Sequence, residues 1–406
     1  METSLWDLWN FDAGAVATLA HRWIPNHGSG RLSTVCSAWN GAGSPIDREP
    51  GAGLDCSGRN REGHMAGEKI KVGLARTALL EDGRTFFDPA ALGVLDTTPE
   101  IVWEYLPDSP RRLTADHCAT YDVICAVGEG IGPEALGRAD LRVRLVAGFG
   151  AGYDTRDVKA LTEAGVLLTN NPNAVRRPMA TTQLTFVLAL AHKLLIKDRM
   201  TREGRWAEQR NHYGTGLIGR TLGSLGIGNI GRELFRIAKP FDMRFIAHDP
   251  HVKQEDVAEL GVTLVDFDTL FRESDFLVTN VLLNDATRGI VGERALGLMK
   301  PSAYLVSAAR GPVVNEAALY RALVEKRIAG AGMDVFEVEP TPPDNPILKL
   351  DNVIVSPHSL CHTDECNRSL AEGSFRSARA FAQRTRPPHL INPAALAHPR
   401  QAGWIA

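Results

Sequence analysis

From residue 69 onward, short apolar, β-branched runs alternate with amphipathic segments, and few folds accept that alternation. In the first half the runs are Ile70–Ala75, Ile101–Leu106, Val123–Val127, Arg144–Ala147 and Val166–Thr169, with helix-like Pro133–Gly137 and Thr155–Ala164 between them. The second block runs Thr221–Ile227, Met243–Ala247, Thr263–Val265, Phe276–Asn280, Ala303–Ser307, Gly330–Asp334 and Val353–Val355. Such alternation builds βαβ units around a parallel sheet. Two blocks predict an α/β chain of two doubly wound parallel-sheet domains. Between them, Pro178–Glu203 reads as one amphipathic helix, with Pro178 in its first turn and Gly204 as its C-terminal cap. At 1.5 Å per residue, about 25 residues would span about 38 Å and bridge two domains. A last helix is expected from about Thr363 to Arg384, and the Pro- and Ala-rich tail after Pro387 is expected to lie over the surface.

Length and charge narrow the class. The 406 residues suit two or three domains. The 45 basic and 48 acidic residues nearly cancel, which excludes nucleic-acid or anionic-membrane binding driven by bulk charge. No uncharged apolar run approaches the ~18 residues of a membrane span. Six cysteines without a CxxC pair favour a reducing cytoplasm over a disulfide scaffold. Residues 1–67 stand apart. Gly, Ser, Asn and Arg punctuate them, and no apolar period persists, so a disordered or mis-annotated extension is expected, with Met65 as the natural start. The tryptophans Trp6, Trp9, Trp23 and Trp39 keep open an arm that packs on a partner subunit.

Gly226-Ile227-Gly228-Asn229-Ile230-Gly231 is a GxGxxG run between a predicted strand and a predicted helix. Such triplets are common; this context makes the run a dinucleotide fingerprint. Gly226 permits the tight turn, Gly228 lets a pyrophosphate approach the backbone, and Gly231 lets helix and strand pack closely. The pyrophosphate would rest on the helix N-terminus, whose N–H groups and dipole favour an anion. Asp249 follows Gly231 by 18 residues, near the position of a carboxylate that accepts from a ribose 2′-hydroxyl. It favours NAD over NADP, although nearby Arg244 and Lys253 leave room for some NADP use.

Three downstream segments place charge at predicted strand ends, where open α/β sheets bind ligands. They carry Arg310, Asp334 with Glu339, and His358. Alone, each has a bland reading: a surface ion pair, a turn, a structural histidine. Together they suit hydride chemistry on a 2-keto acid. Arginine offers a fork of donors to a carboxylate and a carbonyl oxygen. Histidine can protonate that oxygen as hydride arrives, and a carboxylate beside the ring favours its charged form and orients it.

With these motifs the chain, over roughly residues 69–393, resembles the D-isomer-specific 2-hydroxyacid dehydrogenases. The segment Gly148-Phe149-Gly150-Ala151-Gly152-Tyr153-Asp154 also looks like that family's substrate-domain loop. The resemblance implies a flavodoxin-like substrate domain (68–177 plus 363–393), a Rossmann NAD-binding domain (178–362), two crossover helices, a cleft between the domains and a tail (394–406). It implies catalysis by Arg310, Glu339 and His358. It implies NAD held by Gly226, Gly228, Asn229, Ile230, Gly231, Asp249 and Asp334, the last on the nicotinamide carboxamide. Val127 and Gly128 N–H groups, with Arg310, would take the substrate carboxylate. A homodimer through the NAD-binding domains and cleft closure near residues 172–178 and 356–363 are also implied. The expected activity is interconversion of a 2-keto acid and a D-2-hydroxy acid, of the glyoxylate or hydroxypyruvate reductase kind. The alternative is an NAD(H)-sensing regulatory protein on the same fold; oxidation of a non-carboxylate such as phosphite is a weaker third reading.

The chain departs from the family pattern in places. Ser307 stands where Asn is common, and Ser359–Thr363 is bulkier than usual after the histidine. Residues Cys125–Ile131 lack an arginine for a phosphate, which speaks against phosphoglycerate. The cluster His358, Cys361, His362 and Cys366 is metal-capable, but its spacing is too compressed for two separated ligand pairs, so no metal is expected. A thiol there could instead be an oxidation liability.

Overall fold

The computed structural model describes residues 68–405; the expectations for Met65, the four early tryptophans and the extension lie outside the described residues. The first sheet has five parallel strands: β1 (Ile70–Leu74), β2 (Ile101–Tyr105), β3 (Val123–Ala126), β4 (Leu145–Gly148) and β5 (Leu167–Thr169), in the order β2-β1-β3-β4-β5. The second has seven: β6 (Thr221–Leu225), β7 (Arg244–His248), β8 (Val262–Leu264), β9 (Phe276–Thr279), β10 (Tyr304–Ser307), β11 (Gly330–Met333) and β12 (Val353–Val355). Their order is β12-β11-β10-β9-β6-β7-β8, again all parallel. The chain therefore has the expected α/β, doubly wound architecture. Each sheet reverses its strand order once, between β1 and β3 and between β6 and β9, and ligands bind at such switch points.

Helices cover both faces. With the first sheet come α1 (Gly93–Asp96), α2 (Ala115–Thr120), α3 (Pro133–Leu136) and α4 (Val158–Glu163). Then follow α5 (Arg176–Ala191), α6 (Leu194–Arg202), α7 (Asn229–Ala238), α8 (Phe267–Glu273), α9 (Glu293–Leu298), α10 (Glu316–Val324) and α11 (Asp364–Ala382). Two-sided cover explains why β3, β4 and β6 are buried at every position and read as unbroken apolar runs. One core packs α11 through Phe375 and Phe381 against β1, β3 and β4; the core of α5 packs Phe186 and Val187 with Leu234 and Phe235 of α7.

Two expectations are corrected. The stretch from Pro178 to Glu203 is not one rod: α5 and α6 meet at 58°. The Ala191 carbonyl, which would accept from residue 195 in a continuous helix, instead accepts from Thr215 N at 2.7 Å. Lys193 turns the chain with φ 52°. Gly204, at φ 72°, does close the second piece. The tail is not merely draped over the surface either. Trp404 is 8% exposed and stacks on Phe381 at 5.4 Å, while Asn392 and Gln401 are buried and bond to backbone beside β5 and β4. Tryptophan is large enough for that burial to matter. No single helix among the described residues is long and apolar enough to cross a membrane.

Candidate active site

The dinucleotide turn forms at the second sheet's switch point. Gly226 has φ 87°, and a Cβ there would meet the Asn280 carbonyl oxygen at 2.8 Å, so only glycine fits. Gly228 caps α7, and a Cβ on it would find nothing within 4 Å, which is the open approach a pyrophosphate needs. Asn229, Ile230 and Gly231 are the first residues of α7, where N–H groups lack intrahelical acceptors. The Asn229 side chain donates to the Pro172 carbonyl at 3.2 Å, tying this turn to the segment entering α5. Asp249 follows β7; its Oδ2 accepts from Ile227 N at 3.0 Å and its Oδ1 from His251 N at 3.0 Å. The carboxylate is thus oriented at the edge of the turn.

Asp334, just past β11, is fully buried. Its Oδ1 accepts from Ser356 Oγ, Ser359 N and Leu360 N, whereas Oδ2 has no partner among the described residues. An orphaned carboxylate oxygen is costly in a protein interior unless a ligand completes it. With Gly228 and the α7 N-terminus, this oxygen makes the residues fit a dinucleotide.

Arg310, Glu339 and His358 form a linked set with Asp154. His358 Nδ1 and Glu339 Oε2 are 2.8 Å apart, and Glu339 Oε1 accepts from Phe336 N at 3.0 Å. The bond to Glu339 raises the His358 pKa above its ordinary value, against burial and the Arg310 charge. Burial works to raise the Glu339 carboxyl, but the bonds from His358 and Phe336 outweigh it and hold the group low. His358 has φ 53°, a left-handed conformation that bulky residues keep only where the surroundings impose it. Arg310 Nε donates to Asp154 Oδ1 at 2.9 Å. Burial works to raise the Asp154 carboxyl and Arg310 overcomes it, so Asp154 stays ionised. A Cβ on Gly152 would fall 1.5 Å from Arg310 Nη2, and one on Gly311 would fall 1.7 Å from the Phe336 carbonyl oxygen. Glycine at 152 leaves room for the Arg310 guanidinium beside Asp154, and glycine at 311 lets the backbone pass against Phe336.

Val127 and Gly128 follow β3, at the first sheet's switch point. Their N–H groups point at one acceptor, the carboxylate of Glu129. Beneath them lies Arg156, 5% exposed, donating to the Glu129 and Ala126 carbonyls at 3.3 and 3.2 Å. The loop Cys125–Ile131 carries no cation of its own; the fold supplies one from 27 residues away. Asp154, Glu129 and Arg156 are the residues that the sequence alone did not single out. Only Asp154 had a signal, as the last residue of the glycine-rich loop. Ser307 is fully buried with its hydroxyl unpartnered among the described residues. His358, Cys361, His362 and Cys366 do not converge: no group of three or more metal-capable side chains forms among the described residues. The free Cys366 thiol donates a hydrogen bond to the Cys361 sulfur, which lowers the Cys361 pKa and, with burial, raises that of Cys366.

A sequence profile described as D-isomer specific 2-hydroxyacid dehydrogenase, NAD binding domain, matches residues 184–359. The chain is 40% identical over 254 residues to a glyoxylate reductase of Korarchaeum cryptofilum, covering 62% of this chain and 76% of that one. It is 35% identical over 298 residues to a glyoxylate reductase of Thermococcus litoralis, covering 72% and 89%. Among solved structures, a glyoxylate reductase from Paecilomyes thermophila superposes with a TM-score of 0.69 at 27% identity, covering 80% of this chain and 98% of that one.

Proposed function

The chain belongs to the D-isomer-specific 2-hydroxyacid dehydrogenase family and is an NAD-dependent enzyme, and on that premise we propose that it reduces a small 2-keto acid of the glyoxylate or hydroxypyruvate kind to a D-2-hydroxy acid. The observation that carries this reading is the Arg310, Glu339 and His358 arrangement, with the pair at 2.8 Å. Gly226, Gly228, Asn229, Ile230, Gly231, Asp249 and Asp334 would hold the dinucleotide, which when bound supplies the hydride. Asp249 favours a free ribose 2′-hydroxyl and repels a 2′-phosphate. Arg310 holds the substrate carboxylate and steadies the carbonyl oxygen. His358, kept protonated by Glu339, gives that oxygen its proton from the ring nitrogen opposite Glu339; Glu339 stays ionised throughout. In the reverse direction neutral His358 takes the hydroxyl proton. The lobe carrying the first sheet serves as the substrate domain, and its closure on the second excludes water. We place the enzyme in the cytoplasm, where the described thiols Cys118, Cys125, Cys361 and Cys366 stay free, and as a homodimer through the NAD-binding lobes.

The test is NADH oxidation at 340 nm with glyoxylate, hydroxypyruvate, pyruvate, 2-ketobutyrate and phenylpyruvate, with His358→Ala as control. Turnover lost in the control supports the reading. Tight NADH binding without turnover of any of them would overturn it.

A further inference from the structure

By the family resemblance the Val127 and Gly128 N–H groups, with Arg310, would take the substrate carboxylate, and those N–H groups already hold an anion. Glu129 Oε2 accepts from Val127 N at 2.8 Å and from Gly128 N at 3.1 Å. Its other oxygen accepts from the Thr77 hydroxyl. Glu129 is 3% exposed, whereas Gly128 and Thr77 are exposed, so the carboxylate lies just under the mouth of this seat. The seat is electropositive by construction. Two convergent N–H groups make an anion-binding concavity, and the Arg156 guanidinium is buried directly below, its Nη1 without an acceptor among the described residues. A buried guanidinium needs compensating negative charge, and the nearby carboxylates of Glu129 and Asp154 provide it through space.

Resting on the dehydrogenase reading, we propose that Glu129 is a resident stand-in for the substrate carboxylate and thereby a specificity-determining residue. In the empty enzyme it fills the seat, and a 2-keto acid binds by displacing it from the two N–H groups. The buried Arg156 charge then acts through space on the substrate carboxylate as it did on Glu129. Asp154 plays the matching part on the other side of the site, holding the Arg310 fork that the same carboxylate would claim. Glu129 therefore sets how strongly any carboxylate must compete to enter, and it weakens binding of small acids that bring few other contacts.

The test measures the KM of glyoxylate and the Kd of oxamate, a non-reacting carboxylate, on the NADH-loaded enzyme. The variants are Glu129→Gln, Glu129→Ala and Thr77→Val. An amide oxygen is a weaker acceptor than a carboxylate, so Glu129→Gln should lower both constants about threefold. Glu129→Ala vacates the seat and should lower them about tenfold. Thr77→Val frees the far oxygen of Glu129 without touching the seat and should lower them about twofold, which keeps the idea testable if the alanine variant does not fold. A purely structural Glu129 predicts the opposite: both constants unchanged or raised in every variant. Wild-type turnover with no gain in any variant overturns the role of Glu129 and leaves the dehydrogenase reading standing. No turnover in any form, with no oxamate binding, removes both.

Discussion

Replacing Glu339 with Gln tests the proton donor more sharply than deleting the histidine, because shape is kept and one charge is removed. The bond to His358 is 2.8 Å long, with side chains 44% and 37% exposed for His358 and Glu339. A hydrogen bond to a charged group is worth roughly 1.5–3 kcal/mol, and an exposed pair roughly 0.2–1 kcal/mol. Partial exposure places this one at about 1–2 kcal/mol, or about 5- to 30-fold in rate. The pKa moves the same way for both directions, but it limits reduction at high pH and oxidation at low pH. Reduction needs protonated His358, and its pKa is raised, mainly by Glu339. Wild-type reduction therefore persists as pH rises until it passes that raised value. Without the carboxylate, burial and Arg310 push the pKa down, and the alkaline limb of kcat/KM for keto-acid reduction moves to lower pH. Oxidation needs neutral His358, so its acid limb moves to lower pH as well. The assay is a pH profile of kcat/KM in both directions for wild type and Glu339→Gln. An alkaline limb that stays in place while activity falls would refute the coupling and leave Glu339 a merely structural residue.

Further outcomes follow from the same geometry. Arg310→Ala should lower kcat/KM by about 10²–10⁴, since it removes two charge-assisted bonds of roughly 1.5–3 kcal/mol each, and Arg310→Lys should recover only part because it lacks the planar fork; near-normal kinetics in the alanine variant would refute its role. Gly228→Ala should leave the melting temperature within a few degrees, because the added Cβ meets nothing in the free protein, yet weaken NADH about tenfold or more by filling the pyrophosphate approach; unchanged NADH affinity in a titration would exclude that approach. Asp249→Asn should raise the NADPH-to-NADH ratio of kcat/KM about tenfold by removing the charge that opposes a 2′-phosphate, and an unmoved ratio would relocate the discrimination. Trp404→Ala should cost about 3 kcal/mol of stability in urea unfolding, at the lower end for a buried tryptophan; a loss below about 0.5 kcal/mol would mean that the tail only drapes the surface.

What the sequence by itself determined is what short-range physics controls. Strand and helix periods are local, so the alternation from Ile70 onward specified two parallel sheets before any contact was known. The turn at Gly226 and the cap at Gly204 need positive φ, which a single residue declares. The order of Arg310, Glu339 and His358 was legible because each lies in the loop just after a strand, and strand ends converge on one edge of a parallel sheet. Other features depend on partners far along the chain. The break after Ala191 exists because residues 214–215 cross there and take its carbonyl. Trp404 is core because Phe381 and the first sheet's edge give it a place to stack. The pairing of Arg310 with Asp154 spans 156 residues, and the cation beneath Val127 comes from Arg156. A pattern along the chain records which residues are apolar or charged, whereas the partner of a buried charge is decided only when two distant segments pack and shut out water.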